Sequence, residues 1–554
     1  MMRSSVPSAA RVLPLLALIG ALFVLLAPWG ANTMDGGLIL AQSYRILHGE
    51  IPHLDFLTPR PAGSAYLHVL DFVIPLPLVL ASRLVAICEF VGYALLFALI
   101  VYRRRLVELS SAEIAGVACA ALVSIQTFLI IPFYTIDALV LLGAGWLLIL
   151  RAHDLRSASL RFGFLFLGLA ATTKQSFWFA PILAVLGVAF AWRAAGRRVV
   201  LVESVRALAV GVAPGALYAI WVTANGGLHD MMSQLFGAQT VSGSALFDPF
   251  TAEPALTVSL LAGLASVLVG IRVAQSMRVM SSELLLRGGA VCLVAWCALR
   301  TQFSGQEWSR QLFWAAVLVF VWRSLDDRRP DPVGAILIAC GWMVALSWGA
   351  PTPALIAGPL ALYAVDAVGR GAPVARLLPA RAVSLVVAAA AVAVVGGIFW
   401  AARISDRKDG QAVSLTHVAA ALRGIHASPA TATLFRDARY CAARYPARFT
   451  AVIGEGALLS PTLELRSPFP IDWFWKDDYR GHEQWLLDRT AAFDLRGNYL
   501  VLFQTAPQGL ESQAVHGRIG AFFSDSAMAT SIAARLHGRQ VPCRTLVAVY
   551  RPGA

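Results

Sequence analysis

Apolar runs of about 17 to 25 residues recur from Val12 to about Trp400, separated by short polar joints. Runs of that length cross the roughly 30 Å of hydrocarbon in a bilayer as helices, so the pattern predicts a polytopic α-helical membrane protein. About thirteen spans are expected, near 12–29, 75–101, 112–132, 136–150, 162–173, 176–192, 205–224, 255–271, 288–300, 311–322, 333–350, 353–368 and 382–401. After Arg403 the pattern changes to soluble-type charge density with Pro and Gly punctuation and short alternating runs. Helices near 431–445 and 527–536 and strands near 449–453, 499–503 and 545–550 make 402–554 a small α/β domain. The aromatic stretch Ser467 to Trp475 within it reads as a loop on the bilayer surface or over a substrate groove, or else as an ordinary core cluster.

Composition agrees with a membrane setting: 58% of the residues are hydrophobic, 14% are charged and the mean hydropathy is +0.68. The +13 net charge is almost all arginine, grouped in threes at 103–105, 151–161, 193–198, 272–287, 323–329 and 370–381. Arginine-rich joints stay on the cytoplasmic side. With the N-terminus inside, thirteen crossings place 402–554 outside, which predicts a bacterial inner-membrane protein with a periplasmic C-terminal domain. The charge therefore reports topology, and no basic patch suggests nucleic acid. Pro28-Trp29-Gly30 lacks a small-x-small cleavage pattern, so the first span is expected to be retained. Five of the seven cysteines fall in or beside apolar runs as small hydrophobes, while Cys441 and Cys543 share the tail. An oxidising compartment would permit a Cys441–Cys543 disulfide, although the two thiols could also stay apart.

The first extracytoplasmic loop, 30–74, is long and dense in reactive side chains, which a plain joint between two spans does not need. Asp35 stands at the outer mouth of the first span, either as a base or as the cap of a helix over 38–47. Asp55 is either a second carboxylate, holding a substrate hydroxyl or a divalent cation, or turn chemistry before Phe56. Asp137 opens the fourth span, where capping is the simpler account. Lys174, one of only three lysines, interrupts an apolar stretch at an outward turn, where a cation needs a partner or an interfacial position. It is a cation held for an anionic partner or an anchor beside Trp178. Arg310 is a second such candidate, with a local Glu307 pair as the rival reading. His53 and Arg60 are weaker candidates.

Several of these residues form a pattern. Asp35, Tyr44, His48, Gly49, Pro52, Asp55, Phe56, Pro61, Gly63 and Tyr66 stand in the order Asp, Y-x-I-L-H-G-E-I-P, H-x-D-F and P-x-G-x-x-Y before the second span. This resembles the first loop of the GT-C superfamily of integral-membrane glycosyltransferases, in particular the bacterial polyprenyl-phosphate-sugar-dependent branch that includes the aminoarabinose and protein O-mannosyl transferases. Spans followed by a periplasmic α/β domain are similar to that branch over the whole chain. The resemblance implies a polyprenyl-phosphate-sugar donor, a lipid, glycan or protein acceptor, and a basic residue near Lys174 on the lipid-linked phosphate. It casts Asp35 and Asp55 as catalytic candidates, Lys174 and Arg310 as donor-phosphate ligands, and His48, His53, Arg60, Tyr66 and Asp137 as substrate contacts. Many relatives carry a paired acidic motif after the first span. Here Gly36-Gly37 follows Asp35, leaving the second acidic participant open.

No P-loop, HExxH, metal-spaced cysteine pair, G-x-S-x-G elbow or soluble GxGxxG is present, which argues against a nucleotide-sugar donor. No cofactor is demanded, and a divalent cation is left open. Two other readings stay in view: an oligosaccharide ligase or oligosaccharyltransferase, which concentrates its polar residues in a large late loop, and a lipid-linked sugar flippase or transporter, which predicts inverted repeats.

Overall fold

The structure, a computed structural model, describes residues 8–236, 307–326, 328–348, 353–370, 412–454, 456–504 and 526–553. The expected spans near 255–271, 288–300 and 382–401, with Cys292, Cys297 and the arginines at 272–287 and at 376 and 381, lie outside the described residues. The other ten each fall on a helix. These are α1 (Ser8–Leu26), α4 (Leu78–Tyr102), α5 (Ser111–Thr127), α6 (Tyr134–Leu150), α7 (Ala158–Ala171), α8 (Phe179–Ala191), α9 (Arg197–Ala224) and the helices Glu307–Asp326, Pro332–Trp348 and Ala357–Arg370. Among the described residues, only α4 and α9 are long and apolar enough to cross a membrane by length and composition alone, so a count of thirteen crossings is not established. The first loop forms its own short helices, α2 (Asp35–Leu47) and α3 (Gly63–Leu67), and α10 (Leu228–Phe236) follows α9.

Local rules set several helix ends. Ser110 and Glu113 exchange bonds at the start of α5, Glu113 N–H to Ser110 Oγ at 3.3 Å and Ser110 N–H to Glu113 Oε2 at 2.7 Å, a capping box that satisfies two otherwise orphaned donors. The core is aromatic and aliphatic: Phe90, Tyr93 and Phe97 of α4 are fully buried with Ala121 and Ile125 of α5 and Leu139 and Leu142 of α6.

Two ends of the bundle differ in chemistry. Asp331 takes Arg103 at 3.1 Å, Arg323 at 3.2 Å and the Tyr363 hydroxyl at 2.8 Å, so two arginine-rich joints converge on one buried carboxylate. Arg151 donates to the Arg104 carbonyl at 3.0 Å at the same end. Because α6 runs from Tyr134 to Leu150 and α7 returns from Ala158 to Ala171, Tyr134 and Lys174 lie at the opposite end from these arginines.

The tail carries a two-stranded ladder, β1 (Val413–Ser414) with β2 (His426–Ala427), and a four-stranded sheet in the order β3-β4-β6-β5. Strands β3 (Phe449–Ile453) and β4 (Tyr499–Gln504) are parallel, and β4, β6 (Leu546–Arg551) and β5 (Arg539–Cys543) are antiparallel neighbours. A parallel pair needs a crossover, here containing the helix Glu483–Arg496. The helix Pro429–Arg444 packs on the sheet, and its Cys441 is joined by a disulfide to Cys543 of β5, with Cα atoms 5.9 Å apart. The stretch from Ser467 to Trp475 is not a surface loop. Phe469, Ile471, Trp473 and Phe474 are buried, and Pro470 O accepts from the Leu57 N–H at 2.8 Å, so this segment closes over the first loop.

Candidate functional site

The first loop is held in place by backbone pairing and close glycine contacts. His426 N–H donates to Pro28 O at 2.8 Å and Gly30 N–H to His426 O at 2.7 Å, tying the exit of α1 to the tail. Gly37 sits where α2 meets the tail. A Cβ there would lie 2.5 Å from the Leu458 backbone nitrogen, and Leu458 N–H donates to Thr33 O at 3.2 Å. Only a residue without a side chain lets α2 dock this closely on the tail. Asp35 itself is the first residue of α2 and half-buried, and Asn32 Oδ1 accepts from the Gly36 N–H at that end at 3.0 Å.

Gly63 does the same on the other side of the loop. Its N–H donates to Thr172 O at 2.9 Å, a Cβ would meet that carbonyl at 2.5 Å, and Gln175 Nε2 donates to Pro59 O at 2.5 Å. These contacts lay Pro59 to Gly63 along the end of α7 and bring Arg60 beside Lys174. Arg60 donates with Nη2 to Asp478 Oδ1 at 3.1 Å and with Nη1 to Asp478 Oδ2 at 3.3 Å, and its guanidinium lies 5.3 Å from the Tyr134 ring centre. Lys174 Nζ sits 5.8 Å from the Phe133 ring centre. Electrostatic coupling joins Asp35 to both Arg60 and Lys174. Asp35, Arg60, Lys174 and Asp478, walled by Phe133 and Tyr134, thus form one half-buried cluster at the end of the bundle away from the arginine-rich joints.

The charges in this cluster are tuned by burial and by each other. Burial works against the Arg60 cation, Asp478 more than restores it, and the pKa is raised. Burial first, and the Arg60 charge second, push the Lys174 ammonium down to about 7 against the opposing pull of Asp35 and Asp478. A lysine in that range carries a proton that a nearby anion would stabilise.

The remaining sequence candidates are elsewhere or otherwise engaged. Asp55 Oδ2 accepts from the Ile51 N–H at 2.7 Å and Asp55 N–H returns to Ile51 O at 2.9 Å, so its carboxylate closes a turn. His53 is fully buried at φ +68°, a left-handed conformation for which a non-glycine residue needs support. Gln234 of α10 supplies it, with His53 Nδ1 at 3.1 Å from Oε1 and Nε2 donating to His53 O at 2.9 Å. Burial pushes His53 down to about 4, which keeps the ring neutral. His48 ends α2 at the surface, 2.8 Å from Tyr44 O, and lines a cavity of about 280 Å³ with Asp71 and Glu464. Tyr66, pushed up to about 12 by burial, meets Tyr218 and Trp221 of α9 edge-on at 6.5 and 6.0 Å between centroids. Arg310 is buried in the first turns of the helix Glu307–Asp326. Asp137 is fully buried against His68 Nε2 at 3.3 Å.

Sequence reasoning passed over Asp478, Tyr134 and His68. Asp478 sits in an acidic pair, Lys476-Asp477-Asp478-Tyr479, whose only signal was two carboxylates in the tail. It also missed Arg45, which is 3% exposed and bonds Glu50 at 2.6 Å, Asp472 at 3.2 Å and Phe469 O at 2.5 Å, locking α2 to the aromatic segment. A buried arginine with so many acceptors is a structural fastener.

No family model matches the chain, and no curated protein matches it. Among solved structures it is similar to ArnT from Cupriavidus metallidurans bound to undecaprenyl phosphate, at 14% identity and a TM-score of 0.47, with 98% of each chain covered. It is also similar to ArnT from the same organism in the apo state, at 13% identity and a TM-score of 0.43, covering 98% of this chain and 97% of that one. At such identity and TM-score the likeness carries no functional weight, and what this site does is read from its own residues.

Proposed function

We propose that the protein is a membrane glycosyltransferase that moves a sugar from a polyprenyl-phosphate donor to an envelope acceptor at the outer face of a bacterial inner membrane. The observation that carries this reading is the convergence of one carboxylate, Asp35, with two half-buried cations, Arg60 and Lys174, at the end of the bundle opposite the arginine-rich joints. A lipid-phosphate sugar is already activated, so the site needs a base for the acceptor and positive charge for the departing phosphate. Asp35 takes the proton of the acceptor hydroxyl as its oxygen attacks the anomeric carbon. The bond from that carbon to the phosphate oxygen breaks, and the electron pair leaves on the polyprenyl phosphate. Lys174 receives that charge as a point cation, and Arg60, its fork held by Asp478, adds a second positive charge nearby.

The tail completes the site through Asp478, which holds the Arg60 fork in plane. The Asp55 carboxylate, spent on the Ile51 N–H, is the less favoured base. With the Arg-rich joints inside by charge asymmetry, the cluster and the tail face outward.

The test is transfer from a radiolabelled polyprenyl-phosphate sugar pool to envelope acceptors by the purified full-length protein, with Asp35→Asn beside it. Asp35→Asn keeps the side-chain size, so turnover is expected to fall by roughly 10² or more while insertion and thermal stability hold. An active Asp35→Asn variant at saturating donor removes Asp35 as base. Block transfer of a diphosphate-linked glycan would instead show a ligase, and donor translocation without transfer a flippase.

A further inference from the structure

A second cluster of titratable groups lies apart from the Asp35–Lys174 site and is used by none of the chemistry above. His68 follows α3, Asp71 stands one turn later, Glu89 projects from α4 and Asp137 from the first turn of α6. His68, Asp71 and Asp137 are essentially unexposed. His68 Nδ1 is 2.8 Å from Asp71 Oδ2, and His68 Nε2 is 3.3 Å from Asp137 Oδ1. One ligand atom each from His68, Glu89 and Asp137 lie within 4.8 Å of one another.

The chemistry of these donors points to a cation site. Asp71 Oδ1, Glu89 Oε2 and Asp137 Oδ2 are buried without a hydrogen-bond partner, and an orphaned carboxylate oxygen away from water is costly. Three carboxyl groups surround the single imidazole, an oxygen-rich donor set that a cation would satisfy. The geometry supplies the remedy. With Nδ1–H donating to Asp71, Nε2 turns its lone pair toward Asp137, the carboxylate–histidine–metal arrangement in which the second carboxylate fixes the tautomer. Two ligands about 2.1 Å from a tetrahedral ion sit about 3.4 Å apart, close to the 3.3 Å between Nε2 and Oδ1.

We infer that His68, Glu89 and Asp137 bind one divalent cation of the zinc or manganese type, with Asp71 orienting His68 from behind. The ligand set of one imidazole and two carboxylates suits borderline cations. Asp71 also lines the 280 Å³ cavity below His48, which gives an ion a route to the edge of the cluster. Bound there, the ion fastens the first loop to α4 and α6 and so fixes the platform from which Arg60 projects.

The experiment takes the full-length protein in nanodiscs with its affinity tag removed, strips it with a chelator, dialyses it against micromolar Zn²⁺ or Mn²⁺ and measures bound metal by mass spectrometry. About one equivalent is expected in the wild type, falling to about 0.2 or less in Glu89→Gln and in His68→Gln. Zn²⁺ should raise the thermal midpoint of the stripped wild type, and Co²⁺ should give visible d–d bands, readouts that do not depend on the variants folding. Absence of a stoichiometric ion from the wild type overturns the inference, and so does a folded Glu89→Gln that keeps its metal.

Discussion

Arg60 of the first loop and Asp478 of the tail form a two-point ion pair, at 3.1 and 3.3 Å, across 418 residues of sequence. The pair ties the tail to the first-loop cluster, because each side chain holds the other in place. Asp478→Asn should leave the fork held at one point and lower kcat/KM for transfer by about tenfold or more, since a bidentate charge-assisted pair fixes orientation as well as charge. Arg60→Lys keeps the charge but not the fork and should fall with it. Steady-state transfer kinetics at varied donor check both, and a fully active Asp478→Asn would detach the tail from the chemistry.

With Lys174 on the donor phosphate as proposed, donor binding should depend on pH. Its ammonium, pushed down to about 7, is charged below that value and neutral above it, and a phosphate binds the charged form. Donor affinity should therefore be flat below pH 7 and weaken as pH rises through and beyond it, by up to about tenfold per unit until the bound-state pKa is passed. Lys174→Arg, charged throughout, should abolish this slope. Titrating donor Kd from pH 6 to 9 reads the effect, and a slope of the opposite sign would sink the assignment of Lys174 to the phosphate.

Gly37→Ala inserts a methyl group 2.5 to 2.9 Å from the backbone and Cβ of Leu458. Backbone cannot swing aside as a flexible side chain would, so α2 must lift from the tail. A loss of about 1–3 kcal/mol is expected, seen as a lower thermal midpoint with weaker transfer because Asp35 opens the same helix. Gly49→Ala is a poor control because of its positive φ. Gly92→Ala, where no atom lies within 4 Å, should leave both readouts unchanged.

The Cys441–Cys543 disulfide closes a loop of 102 residues. Cys441→Ser should cost the tail about 2–5 kcal/mol, and thiol counts on denatured protein before and after reduction should differ by two. Differential scanning of the reduced and oxidised protein gives the same quantity without a variant. Equal thiol counts would show that the pair is not bridged.

The sequence by itself determined what is local. Apolar periodicity is written within one element, so the ten described runs coincide with helices and the tail's change of pattern with a sheet. Asp35, Arg60 and Lys174 were visible as charged residues where apolar or turn residues would do, because a charge beside apolar spans stands out one residue at a time. The roles that depend on partners were decided only by tertiary structure. Asp55, read as half of the chemistry or as a turn, spends its carboxylate on the Ile51 N–H. Asp137, read chiefly as a cap, meets a histidine 69 residues away. Arg60, ranked low among scattered loop polarity, became central through Asp478. Which charges meet is set by loop docking at Gly37 and Gly63 and by the fold of the tail over the first loop. Such contacts join residues far apart in the chain, and no periodicity along the chain encodes them.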